Sequence, residues 1–90
     1  MPNMTLEEVG QVIRFFARSR AAAVMLAGSL QVGDWIYVRG YTSDFQQRVE
    51  LLQVQHVPVT RAEAGQTVGI RTVARCRKHD LIYKLVTKSD

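Results

Sequence analysis

The chain has 90 residues, of which 47% are hydrophobic and 22% charged, and this predicts one globular domain over residues 1–90 rather than a disordered or multidomain chain. The formal net charge is +4, with nine arginines among the twelve basic residues, which suits an anionic partner and equally suits a soluble surface. Cys76 is the only cysteine, so an internal disulfide is excluded, and no apolar run resembles a signal peptide or a membrane span. We therefore expect a cytoplasmic protein that does not enter a membrane.

The first predicted element, Leu6 to Arg18, fits two templates. Thr5 and Glu8 form a capping box, and the apolar residues that follow have near-helical spacing, which favours a helix. The abundance of β-branched and aromatic residues favours a strand, and apolar positions on both of its faces then indicate a β-bulge. The pattern alone does not choose between the two. Met1 to Thr5 is expected to be a tail.

The stretch Gly28 to Gly40 has the composition of a turn followed by a strand. Gly33-Asp34 is a turn-forming pair, and Trp35 to Val38 have high strand propensity. Upstream, Ala21 to Ala27 is an apolar run of strand length. The residues between these two strands are expected to connect antiparallel neighbours.

Further along the chain, extended patterns alternate with turn formers. The predicted strands run over Phe45 to Gln55 with one slip in phase, then over Thr67 to Val73 and Leu81 to Val86, and the last four residues are expected to be a tail. Arg61 to Gly65 contains helix formers but is long enough for a single turn only. About six strands with glycine-rich turns predict an all-β fold, namely a small closed antiparallel six-stranded barrel of Greek-key type.

The core of this barrel is expected to consist of the inward-facing apolar residues of the strands. They are Val12, Val24, Leu26, Ile36, Val38, Val49, Val54, Val68, Ile70 and Ile82. Gly69, between two of them, is expected to leave room for a close backbone neighbour. Because a core of this size is small, a monomer or a weak homodimer is expected.

Three spaced signatures in the chain resemble those of translation elongation factor-like proteins. They are Ala27-Gly28-x-Leu30-x-Val32-Gly33-Asp34, Gly40-x-Thr42-x-Asp44-Phe45-x-Gln47-x-Val49-Glu50, and Ala64-Gly65-x-x-Val68-Gly69-Ile70. Their order and spacing are similar to those of the second-domain β-barrel of translational GTPases of the elongation factor Tu type and of the C-terminal barrel of collagenase-like peptidases. The resemblance implies that Leu6 to Arg18 is a strand. Gly65-Gln66 and His79-Asp80 stand where the family usually has Gly-Asp.

The resemblance implies a binding role for the chain. In translational GTPases the barrel contacts tRNA ends or ribosomal RNA, which implies contact with RNA, a ribosome or tRNA. In collagenase-like peptidases it is an appendage, which implies a protein-protein docking module that acts with a peptidase-like or translation-factor-like partner. No Gly-x-x-x-x-Gly-Lys-Ser/Thr motif occurs in the sequence, so we expect no nucleotide binding.

The densest cluster of basic residues is the candidate nucleic-acid-binding site. Its members are Arg71, Arg75, Arg77 and Lys78, joined by Lys84 if the last two strands pair. Alternate residues of a strand share a face, so the three arginines are expected to project together toward a phosphate backbone. A solvated surface is the alternative interpretation.

The candidate partner-docking residues are the aromatic side chains Trp35, Tyr37 and Tyr41. Cys76-x-x-His79 has metal-ligand spacing, but even with His56 it supplies too few ligands for a structural zinc site. No pattern indicates a nucleophile oriented by a base. We therefore expect no catalytic residue, no metal and no cofactor.

Overall fold

The computed structural model describes residues 3–88, and all of the regular secondary structure in that range is β-strand. The ten strands are β1 (Asn3–Phe16), β2 (Ala21–Leu26), β3 (Leu30–Gln31), β4 (Trp35–Arg39), β5 (Asp44–Arg48), β6 (Leu52–Val54), β7 (Val57–Pro58), β8 (Arg61–Ala62), β9 (Thr67–Arg71) and β10 (Leu81–Lys88). The all-β prediction is confirmed, and the helical alternative for the first segment is wrong.

Eight strands form one antiparallel sheet in the order β5-β4-β10-β1-β2-β9-β6-β7, and β3 pairs with β8 in a separate ladder. Within residues 3–88 the large sheet does not close on itself, since β5 and β7 are its edges. The prediction of a closed six-stranded barrel is therefore corrected to an open sheet with more and shorter strands. One reason is that residues 49–51 leave the ladder, so the predicted strand over Phe45 to Gln55 is divided into β5 and β6.

A side chain bridges the edge strand β5 and the end of β9, which share no ladder. Gln47 is buried, and its Nε2 donates a hydrogen bond to the carbonyl of Arg71 at 2.9 Å. Its Oε1 accepts a hydrogen bond from the backbone N–H of Val73 at 2.7 Å. A neighbouring strand would satisfy such main-chain groups in a regular ladder. The amide of Gln47 takes over that role at this edge of the sheet.

The register of the first strand, β1, is irregular against both of its neighbours. Its register shifts between Glu8 and Gly10 against β10, and between Val12 and Arg14 against β2. These shifts confirm the bulge expected from apolar positions on both faces. A Cβ atom at Gly10 would lie 2.7 Å from Cγ1 of Val24, closer than carbon atoms approach. The close contact of β1 with β2 therefore requires glycine at this position.

Three turns of the chain share one construction. In each, a residue with positive φ precedes a side chain that accepts a hydrogen bond from the backbone N–H three residues earlier. The pairs are Gly33-Asp34 with the N–H of Gln31 at 2.9 Å, Gly65-Gln66 with that of Glu63 at 2.7 Å, and His79-Asp80 with that of Arg77 at 2.8 Å. Both departures from the Gly-Asp pattern thus keep the turn, because Gln66 supplies an acceptor and His79 adopts a φ of 78°.

The hydrophobic core agrees with the predicted set. Nine of the ten predicted residues are at most 2% exposed, and the tenth, Val54, is half-buried and packs against them. Other buried hydrophobic residues are not in the predicted set, among them Leu30 and Cys76. Leu30 lies in a strand of only two residues and Cys76 in the loop between β9 and β10. Neither segment is long enough or regular enough to give an alternation signal.

Two predicted local elements are wrong. The strands β2 and β4 are not neighbours, because β2 lies between β1 and β9 whereas β4 lies between β10 and β5. The residues that connect them contain β3, which pairs with β8 instead of closing a hairpin. The helical turn expected at Arg61 to Gly65 is also absent, since its first two residues form β8.

The expected tails belong in large part to strands. Asn3 pairs with Lys88 and Met4 with Thr87, so β1 and β10 extend together beyond the rest of the sheet. These residues were expected to lie outside the fold, because a strand that pairs with the other end of the chain leaves no local signal. The first two and last two residues lie outside the described part of the chain.

Candidate docking face and apolar groove

The outer surface of β4, β10 and the first half of β1 carries large apolar or aromatic residues, and six of them form what we call the docking face. They are Met4, Leu6, Trp35, Tyr37, Tyr83 and Leu85. Directly opposed residues in an antiparallel ladder share a face of the sheet. Tyr83 is opposite Tyr37, and Leu85 is opposite Leu6. If the register of β4 and β10 is continued by one residue, Trp35 lies level with Leu85.

Three side chains of the docking face are exposed, and those of Tyr37, Tyr83 and Leu85 are half-buried. Met4 is 60% exposed, Leu6 49% and Trp35 48%. The guanidinium of Arg48, opposite Trp35 in β5, lies 5.7 Å from the centre of its ring. Single exposed apolar residues are ordinary, but neighbouring ones mark an interaction surface. Tryptophan, tyrosine and arginine are the residues that contribute most to binding at interfaces.

Part of the docking face stands on a two-stranded ribbon. Residues 3–6 of β1 and 85–88 of β10 pair with each other and, within the described residues, with no third strand. A two-stranded ribbon is marginally stable in water by itself, and both of its outer edges present unpaired backbone groups. A partner that covers Met4 and Leu6 would therefore also stabilise this ribbon.

The predicted docking residues are divided by the fold. Trp35 and Tyr37 belong to the docking face. The hydroxyl of Tyr37 donates a hydrogen bond to the Asp44 carboxylate, and this bond is the largest cause of its raised pKa. Tyr41 is fully exposed in the turn between β4 and β5, at the opposite end of β4 from Trp35. It is therefore not part of the docking face.

The candidate basic residues do not lie on one regular strand. Arg71 is the last residue of β9, whereas Arg75, Arg77 and Lys78 lie in the loop that follows. The expectation that alternate strand positions align the arginines is wrong, because the strand ends before two of them. All four side chains are exposed. Arg75 and Arg20 line a small cavity of about 270 Å³ between this loop and the turn joining β1 to β2.

Lys84 does not join the basic cluster. It lies on β10, which pairs with β1 and β4, whereas β9 pairs with β2 and β6, so the last two strands are not neighbours. Lys84 is half-buried, and its Nζ donates a hydrogen bond to the carbonyl of Ser29 at 2.9 Å. This bond ties β10 to the connection between β2 and β3.

A groove of about 620 Å³ crosses the outer surface of β2, β9 and β6. Its lining includes the small residues Ala21, Ala23 and Gly69, which point outward because their neighbours in the strands are buried. Phe16 and Arg71 also line it, and no lining residue is acidic. We refer to this feature as the groove.

The glycine of the groove has no close backbone neighbour, contrary to expectation. A Cβ atom at Gly69 would meet nothing nearer than the side chain of Gln53 at 3.9 Å, an ordinary contact distance. The fold therefore accepts a larger residue there. The open space above Gly69 is a property of the outer surface and not a requirement of strand packing.

The sulfur and imidazole groups do not converge on one site. Cys76 is buried, and desolvation, aided by the Asp80 carboxylate, raises the pKa of its thiol to about 11. His79 is exposed, and its Nδ1 lies 3.2 Å from the Nε2 of Gln11. His56 lines the groove. Residues 3–88 contain no group of three or more histidines, cysteines or carboxylates placed to hold a metal ion.

Four residues of the docking face escaped sequence reasoning. Met4 was assigned to a tail and Leu6 to the ambiguous first segment, and Tyr83 and Leu85 were placed in the last strand with no face assigned to them. The apolar residues at 81, 83 and 85 alternate with the buried Ile82, which is a signal for a second apolar face. The sequence does not show, however, that β10 lies beside β4.

In the described residues there is no helix of the length and apolarity that a membrane crossing requires.

The same fold occurs in the C-terminal domain of a U32 peptidase of Geobacillus thermoleovorans. Two crystal structures of that domain, one of them of its selenomethionine variant, each match with a TM-score of 0.81 at 18% sequence identity. The selenomethionine structure covers 84% of this chain and 96% of its own chain. The other covers 87% and 91%. At this identity the match shows the fold.

A longer relative points in the same direction. The chain is 30% identical over 79 residues to an uncharacterised protease of Methanocaldococcus jannaschii. The match covers 87% of this chain but only 19% of the length of the protease. No protein-family model matches the chain. These comparisons support the peptidase side of the resemblance and lend no support to the translation-factor side.

Proposed function

We propose that the chain is a non-enzymatic, cytoplasmic binding module that docks onto a peptidase-like partner through the docking face. The observation that carries this proposal is the register of β4, β10 and β1, which brings together exposed and half-buried apolar residues from three separate parts of the sequence. The peptidase-like character of the partner is supported by the occurrence of this fold as the C-terminal domain of a U32 peptidase.

The docking face has the chemistry of an interface centre. Trp35 is about half exposed in the isolated chain and retains a large apolar surface that a partner can cover. Leu6 and Met4 extend the same surface along the ribbon. Arg48 lies at its edge over the Trp35 ring, where its guanidinium can donate hydrogen bonds to a carboxylate of the partner.

The rival hypothesis is RNA or ribosome contact through the basic cluster. Arg71 lies on a strand, while Arg75, Arg77 and Lys78 lie in an irregular loop, so they do not form the evenly spaced stripe that follows a phosphate backbone. The matched proteins are also described as peptidases, so docking is the better supported function.

The test is recovery of the partner from cells that express the chain. We expect the tagged chain to retain a peptidase-like protein, and nuclease treatment to leave this protein bound. The double substitution Trp35→Ser and Leu85→Ser should reduce its recovery at least about tenfold, because tryptophan anchors typically contribute about 2 kcal/mol or more. The matched control is Tyr41→Ser, which removes an exposed aromatic ring outside the docking face.

Two results would contradict the proposal. One is equal recovery of the peptidase-like protein by the double variant and by Tyr41→Ser. The other is loss of the bound protein on nuclease treatment, together with loss of binding in Arg75→Glu and Arg77→Glu. That second result would assign the chain to RNA.

A further inference from the structure

We infer that the groove on β2, β9 and β6 binds an extended acidic peptide that carries an apolar side chain. This site lies on a different part of the sheet from the docking face, and the inference does not depend on the proposed function. It rests on the shape of the groove, on the residues at its rim and on the distribution of charge around it.

The shape of the groove is not imposed by the fold. Ala21, Ala23 and Gly69 are outward-facing strand positions, where larger residues are usual. A Cβ atom at Gly69 would meet only the Gln53 side chain, at 3.9 Å, and the φ angle of Gly69 is not positive. Neither packing nor backbone conformation therefore requires glycine. The small residues leave a groove deep enough to receive a side chain of another molecule.

The wall of the groove offers an apolar contact. Phe16 lines the groove and is 44% exposed, although the guanidinium of Arg14 lies over its ring. Leu51 also lines it. An apolar side chain of a bound peptide would cover both of them, and their burial would favour binding.

The rim contains a turn that breaks a local rule. Gln55 and His56 join β6 to β7 with φ angles of 50° and 65°, and both side chains belong to the lining. A two-residue turn of this kind favours Asn-Gly, because both positions are left-handed. Such departures concentrate at functional sites. Here they place an amide and an imidazole where the main chain of an extended peptide would run.

The charge around the groove selects carboxylates. Arg71 lines the groove, Arg14 lies 5.0 Å from the centre of the Phe16 ring, and Ser19 of the lining is the neighbour of Arg18. No lining residue is acidic. Within residues 3–88 the sole salt bridge joins two other side chains, so these arginines are free to bind a carboxylate of a partner. Arginine donates two parallel hydrogen bonds to a carboxylate, which favours glutamate or aspartate in the peptide.

The test measures fluorescence anisotropy of a labelled short peptide in which leucine alternates with glutamate. A peptide in which lysine replaces every glutamate and a short oligouridylate serve as comparison ligands. We expect the acidic peptide to bind, and Arg71→Glu to weaken it by about tenfold or more. Lys78→Glu is the matched control, since it changes the net charge equally but lies outside the groove, and it should leave the affinity within about twofold.

A second variant addresses shape without changing charge. Gly69→Val fills the groove with a residue that strands prefer, so it should weaken peptide binding while leaving the melting temperature unchanged or higher. Equal binding of the lysine peptide, an equal loss in Lys78→Glu, or unchanged affinity in Gly69→Val overturns the inference. Tighter binding of the oligouridylate through Arg71 also overturns it.

A measurement on the unaltered chain covers the case in which a variant fails to fold. Addition of the acidic peptide should shift the amide NMR signals of Ala21, Ala23 and Gly69, and should leave those of Trp35 and Tyr37 in place. Absence of shifts in the groove at millimolar peptide overturns the inference.

Discussion

Two regions of the sheet, β4 on one hand and β2 with β9 on the other, differ on the outer side although they are alike on the inner side. On the inner side, β2, β4 and β9 all place fully buried aliphatic residues at alternate positions. On the outer side, β4 carries Trp35 and Tyr37, whereas β2 and β9 carry Ala21, Ala23 and Gly69. The inner side is determined by the need to fill one core, and this leaves the outer side free to differ. Both proposed binding surfaces lie on the outer side.

The largest predicted effect is a loss of stability from a substitution on the inner side. Gln47→Leu removes the amide that bonds the carbonyl of Arg71 and the N–H of Val73. An unsatisfied buried group costs about 1–3 kcal/mol, and these two hydrogen bonds are part-buried, so the free energy of unfolding should fall by about 1–3 kcal/mol. Denaturant unfolding measures this change. The outer neighbour Gln46→Leu is the control, and its effect should stay within about 0.5 kcal/mol.

Equal effects of Gln47→Leu and Gln46→Leu would break the comparison. In that case the amide bridge would not hold β5 against the end of β9, and the inner and outer positions would contribute equally to folding.

An intermediate effect is expected at the rim of the groove. Replacing Gln55-His56 by Asn-Gly relieves two left-handed positions with φ angles of 50° and 65°. We expect a gain of about 1 kcal/mol in the free energy of unfolding, and hence a rise of several degrees in the melting temperature. Binding of the acidic peptide should weaken at the same time. A more stable variant that binds the peptide as before would show that the strained turn serves no function.

The effect that is smallest at neutral pH concerns ionisation of Cys76 on the inner side. The pKa of Cys76 is about 11 in the folded chain, against an ordinary value of 9.0, because burial favours the protonated thiol. The associated stability is fully present below pH 9 and is lost as the pH rises from 9 to 11, since the unfolded thiol ionises first. The difference in the free energy of unfolding between the wild type and Cys76→Ala, measured over this pH range, isolates the contribution of the thiol. Parallel pH profiles would contradict it.

The inner side of the fold could be predicted from the sequence, and the outer side could not. Val24, Ile36 and Ile70 were recognised as core residues because alternation within one strand is a local signal. The docking face depends on which strands are neighbours. The opposition of Leu6 and Leu85 joins the two ends of the chain, a relation that no local pattern contains.

The groove was unpredictable for a similar reason. Gly69 signalled a close approach of two backbones in the sequence, but the structure shows ordinary contact distances around it. A missing side chain is a weak signal, because glycine serves close packing, turns and open surfaces alike. The closed barrel was expected because its strands were counted as six. Gln47, whose side chain replaces backbone pairing, could not be distinguished by residue type from any other strand glutamine.

Site-specific crosslinking from both outer surfaces tests most directly whether they have different partners. A photoreactive phenylalanine analogue is placed at Tyr83 on the docking face or at Thr67 on the groove wall, in cells that express the chain, and the crosslinked proteins are identified by mass spectrometry. We predict that position 83 yields a peptidase-like protein and position 67 does not. Recovery of the same proteins from both positions, or of ribosomal proteins from position 83, would contradict the account.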